Sequence, residues 1–404
     1  MLDVINYEKL QEYKFKGKEY LLVENNLPNP FIKPDGKRVQ VREEWEDQRS
    51  YLKEMLDYYM YGKTPPPPKE VRGEVVYHEY RYNNKAIFEK VSLIDEAGLE
   101  IEAEVIRPSK EGKFPVVVWN QFSDMEACPM EEEAICMGYA ILSFNRNQFA
   151  PDDEGCIEFT GGAFHSKYPE YKEARAIAIW AWGCSYCVSW LKNRNWAESF
   201  IVTGMSRGGK VALRAAAFDE RFAVCAPVSS GNGGAGCFRY AGGRLGLCTQ
   251  EVESLGWMLR KDRFWYWFKD ELAEFGNSSN FSAMGEENKI PFDLHTVRSL
   301  IAPRAIICTE GLDDNLSNCY GTQVTWRAAD EVYEFLGAIG VNGLSYSEGG
   351  HEFTLYRWKV IFDFCEVVLR HKIQKIEYRR SSWYNNSSYL GYNGRVKALH
   401  FNFD

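Results

Sequence analysis

Residues 200–222 read FIVTGMSRGGKVALRAAAFDERF. An apolar run closes on Gly204-Met205-Ser206-Arg207-Gly208-Gly209-Lys210, and a helical pattern follows. The spacing Gly204, Ser206, Gly208 is that of a nucleophile elbow. There a serine sits on a strained strand-to-helix turn with Oγ aimed off the end of the sheet. The chemistry is acyl transfer: a hydroxyl attacks a carbonyl, and N–H groups at the helix start face the oxyanion that develops. An elbow serine needs a base, and its partners follow in the order acid, then histidine. Of six histidines, His78, His165 and His295 come too early, His371 lies in a helical pattern and His400 in the tail. His351, at a glycine turn in SEGGHEF, is the candidate base. The stretch RAIICTEGLDDN offers Glu310, Asp313 and Asp314 as acids. A turn that begins at Gly311 places the acid at Asp314, with Asp313 one residue away as the alternative. Its role is to hold the imidazole tautomer and to stabilise the imidazolium.

These residues require a sheet edge to meet at, and the chain carries the pattern for one. Strand-like alternation runs through EVRGEVVYHEYRY, KAIFEKVSLID and LEIEAEVIRP. Apolar strands at 114–120, 139–145, the FIVTG run, 222–230 and 304–311 then alternate with helical stretches. Such alternation predicts an α/β fold with a doubly wound, mostly parallel sheet. Residues 1–70 read as an N-terminal helical and irregular segment packed on the core, ending at the stiff TPPPP. The sheet domain spans 71–372, with an aromatic insertion at 240–295 that forms a lid or binding wall. Residues 373–404 read as an extension without an assigned role.

Composition narrows the partners. The chain of 404 residues has 45% hydrophobic and 26% charged residues, an ordinary globular balance. A net charge of −9 argues against nucleic acid, and no apolar run is long enough for a membrane helix. The opening MLDVINYEKLQEYKFKGKEY has no apolar core and no cleavage-like site, so it does not read as a signal peptide. Eleven scattered cysteines fit a reducing, cytoplasmic setting; a mature extracellular form is the alternative. Cys184 and Cys187 have C-x-x-C spacing, but no second pair answers them at zinc spacing, so they read as buried thiols. No metal or cofactor is implied, and the oligomeric state is not written in the pattern.

The stretches GMSRGGK, AAAFDERF and SGNGGAGCFR together resemble the signature of the glucuronoyl esterases, carbohydrate esterase family fifteen. PNPFIKPDGKRVQVREEWEDQRSYLKEMLDYYMYGKTPP, ARAIAIWAWGCSYCVSWL, PFDLHTVRSLIAPRAI and SEGGHEF are similar to further segments of that family, so the resemblance covers roughly 27–370. It implies the α/β-hydrolase fold and a serine esterase acting on esters of (4-O-methyl-)D-glucuronic acid, such as those joining glucuronoxylan to lignin. It implies Arg207 as an oxyanion partner and Lys210 as a contact to the uronate ring. Two cations at a helix start oppose the helix dipole, which fits such a purpose. It further implies sugar contacts at Gln250, Glu251 and Trp267, Trp267 standing in a Trp-Phe pair.

One departure from the family pattern concerns the acid. Many members carry a Glu or Asp immediately before S-G-x-G-G, where this chain has Ser229. Others place the acid after the seventh strand, which adds weight to Asp314. A family Trp two residues beyond that Asp is Leu316 here. Two competing readings are an acetyl- or acylxylan esterase, for which Lys210 is dispensable, and a non-catalytic carbohydrate-binding relative suggested by Ser229.

Overall fold

The computed structural model describes residues 14–122, 125–159, 162–240, 252–277, 279–280 and 284–380. In chain order the main elements are α1 (Glu44–Leu56), β1 (Val71–Arg81), β2 (Ala86–Asp95), β3 (Glu100–Pro108) and β4 (Phe114–Gln121). Then come α2 (Glu131–Met137), β5 (Ala140–Asn145), α3 (Ala176–Leu191), β6 (Ala197–Met205), α4 (Arg207–Phe218) and β7 (Phe222–Val228). The last are α5 (Leu294–Ser299), β8 (Ala305–Gly311), α6 (Cys319–Phe335), β9 (Asn342–Ser347), α7 (Leu355–Arg370) and β10 (Arg379–Arg380). The strands form one sheet in the order β1-β2-β3-β5-β4-β6-β7-β8-β9-β10. The three alternating strands after the proline stop pair antiparallel, whereas β5, β4, β6, β7, β8 and β9 run parallel. The α/β expectation therefore holds, with an antiparallel flank added by β1–β3.

Both faces of the sheet are covered because the central strands are apolar on both sides. Along β4, Val116 and Val118 join one core, while Val117 and Trp119 join the other. The first core takes α3, α4 and α5; the second takes α2 and α7. All sixteen residues of α3 are buried, as a helix apolar all round must be. Cys184 and Cys187 lie inside it as buried free thiols, and burial pushes both well above the usual thiol range. Trp182 Nε1 and Ser189 Oγ on α3 donate to the carbonyls of Pro66 and Pro68, which seats the extended proline segment on this helix. Trp45, Leu52 and Leu56 of α1 belong to the same core as α3, so the N-terminal segment is packed onto the sheet domain.

Of the aromatic insertion, Trp267, Phe268, Leu272 and Phe275 are buried within the first core, with Lys210 of α4 over the Trp267 ring. Residues 241–251, 278 and 281–283 of the insertion lie outside the described residues, as do residues 381–404 of the C-terminal extension. No helix among the described residues is long and apolar enough to cross a membrane.

Candidate active site

Ser206 stands between β6 and α4 with φ 57° and ψ −122°, a conformation that costs a non-glycine residue energy. The neighbours enforce it. The Ser206 N–H donates to Val228 O at 2.9 Å, and the Ser206 carbonyl accepts from the amides of Gly209 and Lys210. The glycines make the turn possible. A Cβ on Gly204 would lie 2.5 Å from the Gly208 carbonyl, and one on Gly209 would lie 2.7 Å from Ser230 Cβ. Asn120, at the end of β4, locks the turn from below by donating to Thr203 O (2.9 Å) and Gly208 O (3.1 Å). The elbow is thus fixed by three strand ends and closes on the N-terminus of a twelve-residue helix, whose first N–H groups lack intrahelical partners.

His351 and Asp314 meet on the neighbouring strand ends. Asp314 Oδ2 lies 2.8 Å from His351 Nδ1, and Ser317 Oγ lies 2.9 Å from the same nitrogen. The imidazole is partly exposed, at 30%, while the carboxylate is buried. Asp313 points to solvent instead. Burial raises the Asp314 pKa, but the His351 contact, with Ser229 and Ser317, outweighs it and holds the carboxyl below its usual range. With Nδ1 engaged, the nitrogen left for proton exchange is Nε2.

The loops that carry acid and base are zipped together. Leu312 N–H donates to Ser347 O and Asp313 N–H to Gly349 O. Gly311 is required for this approach, since a Cβ there would lie 2.5 Å from the carbonyls of Gly349 and Gly350. Buried Arg357 of α7 staples the histidine loop by donating to Gly350 O (2.9 Å), Glu352 O and Ser347 Oγ (3.2 Å). Its Nη1 also donates to Ser229 Oγ at 3.1 Å. The Ser229 carbonyl in turn accepts from Ser317 Oγ. Because Ser229 follows Val228, the end of β7 links the elbow to the histidine.

Glu310, at the end of β8, is a second carboxyl beside this pair. It is 1% exposed, accepts from Thr322 Oγ1 at 3.2 Å, and its Oε2 is buried without a partner. Burial, then the nearby Asp314 charge, pushes it up to about 8.

Arg207 and Lys210 have different surroundings. The Arg207 guanidinium, one-quarter exposed, donates from Nη1 to Asp152 Oδ2 at 2.5 Å. Its carbon lies 4.8 Å from the Trp267 ring centroid, 5.0 Å from Phe264 and 5.1 Å from Phe122. Lys210 is 1% exposed, with Nζ donating to Ser230 O and to Glu253 Oε2, both at 2.8 Å. Burial lowers the Lys210 pKa and raises that of Glu253, each opposed by the partner's charge. Trp267 is buried, stacks on Phe264 at 4.1 Å and 5°, and presents to Arg207 and Lys210 as a wall. Gln250 and Glu251 lie outside the described residues. The carboxylate seen against Lys210 is Glu253, two residues beyond Glu251.

Among the described residues no group of three or more His, Cys, Asp or Glu side chains has metal-holding geometry. The chemistry open to the site is nucleophilic: a strained serine at a helix start, a histidine oriented by a buried carboxylate, and a guanidinium next to the serine.

Comparison with known proteins gives concordant findings. A family model described as "Glucuronyl esterase, fungi" matches residues 94–337. A 4-O-methyl-glucuronoyl methylesterase from Podospora anserina is 29% identical over 338 residues, covering 81% of this chain and 63% of that protein. The chain therefore spans less than two thirds of that relative. A carbohydrate esterase family 15 glucuronoyl esterase structure from Caldicellulosiruptor kristjansonii superposes with TM-score 0.72 at 28% identity, covering 91% of this chain and 96% of that one. The glucuronoyl esterase catalytic domain from Hypocrea jecorina, 21% identical with TM-score 0.68, covers 92% of this chain and 96% of that one and shares the fold.

Proposed function

The chain belongs to the glucuronyl esterase family, with its α/β-hydrolase fold, and from that premise we propose that it is a serine esterase for glucuronic acid esters. The substrate is an ester of 4-O-methyl-glucuronic acid, as in links between glucuronoxylan and lignin alcohols. The observation that carries the reading is the 2.8 Å contact between His351 Nδ1 and buried Asp314, on a loop joined to the Ser206 elbow through the end of β7.

Ser206 Oγ attacks the C6 carbonyl carbon while His351 Nε2 takes the hydroxyl proton. Asp314 keeps Nδ1–H pointed at itself and stabilises the imidazolium. The tetrahedral oxyanion is met by the Arg207 guanidinium and the N–H groups at the start of α4. Collapse of the intermediate breaks the ester C–O bond, and His351 returns its proton to the departing alcohol. A water then enters, loses a proton to His351 and attacks the glucuronoyl-serine carbonyl. The acid product leaves and Ser206 recovers its proton.

The Lys210–Glu253 pair supplies polar groups beside the sugar. Lys210 uses two of its donors internally, so its contact to a uronate is through the remaining donor or through rearrangement with Glu253. The Leu316 side chain is exposed beside Glu253, whose N–H donates to the Leu316 carbonyl, and it forms part of the rim.

A hydrolysis panel of benzyl glucuronate, methyl galacturonate and acetyl xylan tests this reading, with Ser206→Ala as the blank. Benzyl glucuronate should be the preferred ester and the Ser206→Ala rate should fall to background. Cleavage of acetyl xylan without cleavage of benzyl glucuronate overturns the substrate and leaves the nucleophile standing.

A further inference from the structure

We propose that Asp152 is a positioning residue for the reaction: its carboxylate holds the Arg207 guanidinium where it meets the oxyanion. The inference rests on reading Arg207 as an oxyanion partner and adds the group that orients it.

Asp152 is on the loop that follows β5, more than fifty residues before Arg207, and nothing in the local pattern distinguishes it from Asp153. Its side chain is 10% exposed and receives donors from two directions. Oδ2 accepts from Arg207 Nη1 at 2.5 Å. Oδ1 accepts from Trp267 Nε1 at 3.0 Å and lies 3.2 Å from the Tyr266 hydroxyl, which itself donates to the Asp152 carbonyl at 2.6 Å. The aromatic insertion thus fixes the carboxylate, and the carboxylate fixes the guanidinium. A functional group held by such an outer layer keeps its productive geometry without reorganising during the reaction.

Arg207 needs this restraint for two reasons. It is partly open to solvent, and a long side chain left there samples many rotamers. A second guanidinium, that of Arg146, packs 3.7 Å from the Phe122 ring that also faces Arg207. Arg146 is 1% exposed, its Nε and Nη2 lack partners, and its nearest polar contact is Asn120 Oδ1 at 3.2 Å. Without the Asp152 charge, two like-charged groups would share this corner and Arg207, the exposed one, would swing away. With it, Arg207 spends one donor on Asp152 and retains others, its Nε among them, without a partner in the described protein.

The test is a double-mutant cycle of Asp152→Asn and Arg207→Ala on benzyl glucuronate. Asparagine keeps an acceptor for Trp267 and removes the charge. The expected result is a fall in kcat of about 10- to 100-fold with KM nearly unchanged, smaller than the ~100- to 1,000-fold loss for Arg207→Ala. In the Arg207→Ala background, Asp152→Asn should cost nothing further. A loss of equal size in both backgrounds would show a merely structural role, and a wild-type kcat for Asp152→Asn would overturn the proposal outright. If Arg207→Ala retains full kcat, the oxyanion reading itself fails, a result distinct from either. Should Asp152→Asn not fold, Tyr266→Phe removes one donor from Asp152, and the same cycle should show a few-fold kcat loss that vanishes without Arg207.

Discussion

Replacing Asp314 with asparagine removes a buried charge while keeping the side chain's size. The carboxylate oxygen lies 2.8 Å from His351 Nδ1, so the charge centres are about 3.5 Å apart, worth ~5 kcal/mol at an effective dielectric of 20. The imidazole is 30% exposed, and water screens part of this. Half the figure, ~2.5 kcal/mol, corresponds to ~70-fold and the whole to several thousand-fold in kcat. Ser317 Oγ, 2.9 Å from Nδ1, remains as a neutral acceptor and argues for the lower part of that range. The asparagine amide can also donate to Nδ1 and select the wrong tautomer, which pushes toward the upper part. Benzyl alcohol release at pH 7, with melting temperatures as a folding check, measures the effect. Asp313→Asn is the control: that side chain points to solvent and its loss should leave kcat within about threefold. A larger loss for Asp313→Asn than for Asp314→Asn would refute the reasoning.

Other perturbations follow from the same geometry. Gly311→Ala should destabilise by about 1–3 kcal/mol and lower kcat, because the new methyl must push the histidine loop away; melts and kinetics report both. Glu310 is neutral when folded up to about 8 but ionises near 4.5 when unfolded, so the wild type loses stability as pH rises between those values. Glu310→Gln should therefore melt together with wild type near pH 4.5 and above it at pH 8, by an amount on the order of 3–5 kcal/mol at most; a wider gap at the acid end contradicts the assignment. Lys210→Met strands Glu253 as a buried charge and should cost about 3–5 kcal/mol in denaturant titration. The double variant with Glu253→Leu should recover most of that loss.

The sheet was legible because its central strands are continuous apolar runs that can only be buried on both faces, as Val116 to Trp119 are. The elbow was legible because close approach of backbone to backbone demands glycine at Gly204 and Gly209, and the demand is local. The sequence favoured Asp314 but kept Asp313 as the alternative, since a one-residue shift in a turn leaves no periodic trace; burial against His351 distinguishes them in space. Asn120, Asp152, Glu253 and Arg357 were not picked out. Each is an ordinary polar residue whose partner stands 43 to 128 positions away, across strand ends that only the folded sheet brings together. The insertion carries no period to mark its buried positions, so the Glu253 partner of Lys210 left no trace in the pattern.

The central claim is that Ser206 is the nucleophile of an ester hydrolase. Labelling with a fluorophosphonate, followed by peptide mapping and assay of residual benzyl glucuronate hydrolysis, tests it most directly. One label per chain at Ser206, with activity falling in proportion, is the predicted result. Full labelling at Ser206 with activity intact, or loss of activity with the label elsewhere, would contradict it.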